Sequence, residues 1–414
     1  MRRNDYHPPW LDNLAEDVTM EAAVLNGVVT GKQDVLTLLA HARTLYEFQD
    51  FSFIGAYGED GLVEDYASRV RGEPIANIAI VHRNAAGQAT RLVMNHRPLA
   101  GVLLFSRLMG EHFKDTPYAR YFLSAEQLEQ VYPRTELHYA VHVSNLEPLP
   151  SPSPLTPPNG EQPRWSPLSS TLIYGATEAV LVDPPVTVAQ AEQVADWVAG
   201  FGVPLTGIYI THAHGDHWYG TTTLLKRFPD TPVHATEGTI AAMRAAHPDG
   251  APTALFASIL PGKLADTPVL AQPVPAVGLF VDGHALRAIE VGHADTDDST
   301  VLHVPSIGLV VAGDVIYNNV HQFVGESADG GLDGWLAAID TVEALAPRFV
   351  VAGHKDRNRP DDPAIIGETR DYLRAVAELD VHGRVAFFER VTERFPDRVN
   401  PTIVWLSAVR LFPA

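Results

Sequence analysis

The chain has 414 residues, 46% apolar and 19% charged, a globular composition that excludes wholesale disorder. Fifty acidic against thirty basic side chains leave a net charge of −20, which repels phosphate backbones, so no nucleic-acid partner is expected. Cysteine is absent, which removes disulfides, thiolate metal sites and cysteine nucleophiles together.

Length alone suggests two or three domains at about 150 residues each. Met1-Arg2-Arg3-Asn4-Asp5-Tyr6 carries charge without an apolar stretch behind it and does not read as a signal peptide. No run of 18 apolar residues occurs, so no membrane partner and a cytoplasmic location are expected. Residues 1–30 read as a polar, irregular arm. From Asp34, the residues Val35, Leu38, Leu39, Ala42 and Leu45 share one helical face. Residues 77–83 and 89–96 alternate around the turn Asn84–Gln88, and a helix follows Pro98 through Leu99, Val102, Leu103, Ser106 and Met109. The first 132 residues therefore read as a small α+β domain, and 133–414 as a second one. The early helix and the hairpin running into Met94-Asn95-His96-Arg97-Pro98 resemble the nuclear transport factor 2-like (polyketide-cyclase-like) family, which implies a cone-shaped α+β barrel.

Eight prolines lie between Pro148 and Pro167. They suit a stiff linker, or a loop of the second domain that arches over a pocket. The loop is the preferred reading, because His138–Ser144 alternates like a strand and needs a partner within its own domain. Beyond Pro167, strand and helix patterns repeat. Strands fall at 171–174, 179–182, 207–210, 279–281, 285–290, 301–303, 309–312 and 349–352, with helices over 188–198 and 332–345. Strand-rich halves with helices suggest a sheet-on-sheet sandwich covered by helices, an α/β (α+β) fold. Residues 381–414 carry apolar patches at Val385, Phe387, Phe388 and Val391 and are expected to pack on the N-terminal domain or on a second chain, so a homodimer is expected.

The chemistry concentrates in Thr211-His212-Ala213-His214-Gly215-Asp216-His217-Trp218, just past a strand. Three imidazoles and a carboxylate within six residues gain nothing for stability, but they are good ligands for borderline divalent ions. His212 and His214 share a side at a strand end, and Gly215 turns the chain so that Asp216 and His217 face a second point. That spacing suits two ions better than one. Downstream, His293, Asp314 and His354 each lie past an apolar strand and beside a glycine, where α/β architectures gather functional groups.

This order of Asp183, the H-x-H-x-D-H run at 212–217, His293, Asp314 and His354 resembles the metallo-β-lactamase-fold hydrolase superfamily over residues 135–360. The resemblance implies a four-layer αββα sandwich. It also implies two divalent ions, Zn²⁺ first and Mn²⁺ or Fe²⁺ as alternatives. His212, His214 and His293 would bind one, Asp216, His217 and His354 the other, and Asp314 would bridge them. Asp183 would orient a ligand, and Asp216 would double as a catalytic proton carrier. The expected reaction is hydrolysis of a small-molecule lactone, ester or thioester, with a β-lactam as a further option. The same fold hosts mononuclear iron persulfide dioxygenases and phosphodiesterases, and a non-catalytic scaffold is the remaining alternative.

Tyr317 and His321 follow Asp314 on a loop expected to reach the pocket, where either could donate to an oxyanion; Asn318 and Asn319 lie beside them. Trp218 and Tyr219 suit a pocket wall or the core. Asp295, Asp297 and Asp298 read as a solvated acidic turn rather than as ligands.

Overall fold

The computed structural model describes residues 2–3, 6–123, 136–151, 153–276, 278–328 and 330–413. The chain divides into two compact units, Met1–Arg134 and Thr135–Ala414. The boundary expected at 132/133 lies outside the described residues.

Among the described residues, the first unit is a seven-stranded sheet with two α-helices, Lys32–Leu45 and Leu99–Phe113. Their apolar faces, among them Val35, Leu38, Phe105 and Met109, meet Val18, Ile75, Val81 and Leu92 from the sheet in one core. Residues 1–30 are not an irregular arm. Leu14–Ala22 is an interior strand, parallel to Ala89–Arg97 and antiparallel to Val29–Thr30. Its acidic residues Glu16 and Asp17 mask the pattern, while Leu14, Val18 and Met20 are buried. Gln49–Tyr57 and Gly61–Val70 are further strands that the composition hid, because Phe53, Ile54 and Tyr57 are exposed and blur the alternation.

Among the described residues, the second unit stacks two main sheets beside two small two-stranded ones. One has six strands, with Ala179–Val182, Leu205–Tyr209 and Val233–Ala235 parallel at its centre. The other has five and ends in the parallel pair Leu309–Val311 and Phe349–Val351. Side-chain alternation along the strands builds the layers. Ile173, Val180, Val182 and Tyr209 point into the core between the sheets, where they meet Leu302, Leu309, Val311 and Val351. Their neighbours point outward: Leu172, Leu181 and Ile208 under the helices of one face, Val301, Val310 and Val350 under those of the other. A strand with both faces covered must be apolar at every position, which explains runs such as Ala179-Val180-Leu181-Val182. Each fully buried Val, Leu or Ile contributes about 1.5–3 kcal/mol. The result is the four-layer αββα sandwich.

Local signals set the element ends. Helix Val188–Ala199 starts in a capping box, Thr187 with Gln190, and stops at Gly200. The Asp282-Gly283 hairpin has both residues at positive φ, 46° and 78°. Helices Arg384–Arg394 and Thr402–Leu411 do not leave this unit. Phe387, Phe388, Val391 and Val404 lie in the core over the five-stranded sheet, and Ile403 and Leu406 in the core over the other. Among the described residues, no helix is long and apolar enough to cross a membrane.

Candidate metal centre

Because the central strands of each sheet run parallel, their C-terminal ends share an edge. Asp183 follows Val182, the loop from Thr211 follows Tyr209 and Ile210, Asp314 follows Val311, and His354 follows Val351. Glycines permit the close approach. A Cβ on Gly353 would lie 2.2 Å from Asp314 Oδ1, and one on Gly313, at φ +50°, would lie 2.5 Å from Thr211 Oγ1.

The four imidazoles of the site are oriented the same way. His217 donates from Nδ1 to Asp183 Oδ2 at 3.0 Å, His214 to Asp295 Oδ2 at 2.9 Å, and His354 to the carbonyl of Pro167 at 2.9 Å. His212 Nδ1 lies 3.0 Å from Thr211 Oγ1, which itself donates to Asp183 Oδ2 at 2.7 Å. With Nδ1 engaged as donor, Nε2 is the nitrogen left to face the cluster in His212, His217 and His354, while His214 Nε2 lies 3.5 Å from Glu326 Oε2. His217 Nε2 faces Asp314 Oδ1 at 3.3 Å, and His354 Nε2 lies 3.1 Å from Asp314 Oδ2 and 3.4 Å from Asp216 Oδ2. Partners on the far nitrogen are what fix tautomer and ring orientation in metal-binding histidines.

Buried atoms without partners test whether a cation fits. His212 Nε2, His217 Nε2, Asp295 Oδ1 and Asp314 Oδ1 are all buried and lack a hydrogen-bond partner. A polar atom left this way is costly unless something fills its valence. His212, His214, Asp295 and Asp314 bring ligand atoms within 4.8 Å of one another, and so do Asp216, His217 and His354. These are His/Asp clusters able to bind metal ions. A third grouping, Asp183 with His212 and His217, is of a different kind. The Asp183 carboxylate already accepts from Thr211 N, Thr211 Oγ1 and His217, so it orients its neighbours. Asp183 sits at φ +54°, a conformation Asp tolerates better than most residues.

Charge is tightly balanced. Burial disfavours the charged form of every group here. For His217 and His354, Asp314 and Asp216 outweigh burial and raise the imidazoles, His354 to about 10. The same contacts hold Asp216 and Asp314 below the usual carboxylate range. His212 falls well below an ordinary histidine, through burial first and the nearby His217 second. Burial lifts Asp295 to about 7 against the pull of His214. In the metal-free chain, protons thus hold carboxylates together where a cation would do so.

The expected ligand set differs from this arrangement at one place. His293 stands outside both clusters. Its Nδ1 lies 2.6 Å from Asp297 Oδ1 and its Nε2 3.3 Å from Ser327 Oγ, with the ring against Gly331 and Gly334. Asp295 joins His212 and His214 instead. The run of three aspartates disguised it as a solvated turn, yet Asp295 is 1% exposed whereas the side chain of Asp297 is 83% exposed. Ala294 and Asp295 are both buried, so no alternation in the sequence singles Asp295 out.

A cavity of about 430 Å³ opens over the clusters. Trp165, Leu255, Phe256, Phe323, Ile403 and Leu406 give it apolar walls. The proline-rich segment belongs to this unit: Leu149, Leu155 and Trp165 are core residues, and Trp165 Nε1 donates to Asp216 Oδ2 at 2.9 Å. Tyr317 lines the cavity and donates to Asp314 Oδ2 at 2.7 Å; burial, then Asp314, hold its proton in place by raising it well above an ordinary phenol. His321 does not reach the cavity. It is 2% exposed, with Nδ1 3.2 Å from Tyr372 OH, because the chain turns inward after Asn319 at φ +55°. Trp218 and Tyr219 are fully buried in the core.

Residues 163–354 match the family model of the metallo-beta-lactamase superfamily. A type 2 metallo-beta-lactamase of Bacteroides fragilis is 25% identical over 199 residues, 46% of this chain and 70% of that protein. A hydroxyacylglutathione hydrolase of Parasynechococcus marenigrum (strain WH8102) is 45% identical over 58 residues, 14% of this chain, which spans only 22% of that relative. Among solved structures, a metallo-beta-lactamase family protein of Thermus thermophilus aligns with a TM-score of 0.43 at 21% identity, over 66% of this chain and 93% of that one. The matched segment holds clustered side chains described above, and it is this segment, not the whole chain, that is similar to the metallo-beta-lactamase superfamily.

Proposed function

We propose that the second unit is a dinuclear metal hydrolase, with Zn²⁺ as its ions, acting on a lactone, ester or thioester of a small molecule. One observation carries this reading: His212, His217 and His354 turn an Nε2, and His214 its Nδ1, toward Asp216, Asp295 and Asp314 at the floor of an apolar-walled cavity. His212, His214, Asp295 and Asp314 would hold one ion and Asp216, His217 and His354 the other, with Asp314 between them. Two relatives whose printed names are those of a lactamase and a hydrolase support a hydrolytic reaction.

Divalent ions at such a site, when bound, acidify water and polarise a carbonyl oxygen. The chain's own side chains supply the rest. Asp216, fixed by Trp165, would carry a proton to the departing oxygen or sulfur. Tyr317 locks the Asp314 carboxylate in one orientation. Phe256, Phe323 and Leu406 exclude bulk water and favour a substrate with an apolar body.

A panel of lactones, esters and thioesters tests this. Turnover is expected to vanish on chelation and to return with Zn²⁺, and metal analysis to find two ions per chain. Activity retained in a His212→Ala, Asp216→Ala double variant would sink the reading. One iron per chain with oxygen consumption would replace it by a dioxygenase.

A further inference from the structure

One wall of the cavity over the clusters comes from two short helices and the segment that joins them. Helix Glu237–Ala246 contributes Ala242 and Ala246, and helix Ala254–Ile259 contributes Leu255 and Phe256. The joining segment contributes its two ends, His247 and Thr253.

Both ends meet on one atom. His247 Nδ1 donates to the carbonyl of Met243 at 2.7 Å, which leaves Nε2 to accept from Tyr219 OH at 2.6 Å. The same phenol oxygen accepts from the Thr253 N–H at 3.0 Å. Tyr219 is a fixed post. It is fully buried, its own N–H donates to the Gly215 carbonyl at 3.0 Å, and a Cβ on Gly215 would lie 2.3 Å from its ring. Between the two ends little holds the chain. Residues 248–251 are exposed, and Gly250 turns at φ +67°. Among the described residues, the one hydrogen bond made by 248–252 stays inside the segment, from Gly250 N–H to the His247 carbonyl at 3.0 Å. Pro248 and Pro252 have no N–H to give. A segment with so few anchors opens at low free-energy cost, so the bonds at its ends govern how often it does.

We infer that Tyr219 is a positioning residue whose hydroxyl latches residues 247–253 closed along the cavity, and that release of the latch admits wider acyl groups. The selectivity rests on the hydrolase reading; the latch does not.

Amide hydrogen exchange of the full chain, beside steady-state kinetics, tests both parts. Tyr219→Phe removes the hydroxyl. Thr253→Pro removes the N–H at the other end, at a backbone φ of −58° that proline adopts, and leaves the His cluster loop untouched. Gly250 and Ala257 donate to the carbonyls of His247 and Thr253, so their exchange reads the two ends. It is expected to quicken about ten-fold in both variants, with helix Val188–Ala199 unchanged. Thr253→Ala keeps the N–H and is expected to exchange like the unaltered chain. With 4-nitrophenyl acetate and 4-nitrophenyl 1-naphthoate as probes, the ratio of KM values, naphthoate over acetate, is expected to fall about five-fold in both variants. Exchange at Gly250 and Ala257 as slow in the two variants as in the unaltered chain would overturn the latch. Faster exchange with an unchanged KM ratio would overturn its part in selectivity. No turnover of either ester by the unaltered chain would overturn the hydrolase reading and the selectivity with it, while the exchange result still decides the latch.

Discussion

Asp295 Oδ2 lies 2.9 Å from His214 Nδ1, while His293, two residues earlier, faces away toward Asp297 and Ser327. This pairing gives a clear contrast between two variants. Asp295→Ala removes both the orienting acceptor of His214 and a carboxylate of the first cluster, so metal affinity there is expected to fall about 10–100-fold. His293→Ala is expected to keep its metal. Metal content after dialysis against graded chelator distinguishes the two, and equal loss in both variants would contradict the arrangement.

Tyr317→Phe deletes one hydrogen bond, the 2.7 Å contact to Asp314 Oδ2, and little volume. The carboxylate then gains freedom to rotate. Turnover is expected to fall roughly ten-fold, the equivalent of about 1.4 kcal/mol, with metal content unchanged. Steady-state kinetics beside metal analysis reads both quantities. Unchanged kcat would mean that Asp314 is held by its other neighbours alone.

Chelation is expected to lower the melting temperature as well as activity. Without a cation, the buried Nε2 atoms of His212 and His217 and Oδ1 of Asp314 lack hydrogen-bond partners. Metal at about a thousand times its dissociation constant stabilises by about 4 kcal/mol. That corresponds to a rise of roughly 10 °C in a domain of this class. Calorimetric melts with and without Zn²⁺ check this, and an unshifted transition would count against metal binding by the folded chain.

Burial lowers the His96 imidazole from 6.5 to about 4. The folded chain therefore resists a proton that the unfolded chain accepts. Stability is full above pH 6.5 and declines as pH falls toward 4, by about 3 kcal/mol at most. Denaturant titrations at pH 7 and pH 5 are expected to show the loss, and His96→Gln to reduce it. An identical decline in the variant would place the acid sensitivity elsewhere.

The parts legible in the sequence were those written by short-range pattern. Continuous apolar runs marked strands covered on both faces, as in Val180 and Leu181, and the cap at Thr187 marked a helix start. The clustered imidazoles of 212–217 announced themselves because no packing argument explains them. Strands Leu14–Ala22 and Gln49–Tyr57 were hidden, since acidic or exposed apolar residues break their alternation. That Asp295 and not His293 clusters with His212 and His214 was equally hidden. Which of two residues on one turn faces inward depends on a bulge between Glu290 and Gly292 and on a helix some forty residues later. Arg410 and Glu326, both at the cavity, come from segments with no local mark of function.

The end of the proline-rich segment touches two members of one cluster at once: Trp165 donates to Asp216, and the carbonyl of Pro167 accepts from His354. Trimming or exchanging this stretch to accommodate bulkier compounds would therefore disturb the clustered ligand groups along with the cavity wall. Redesign of selectivity is better directed at Leu255 or Leu406, which line the cavity and stand outside the clustered ligand groups.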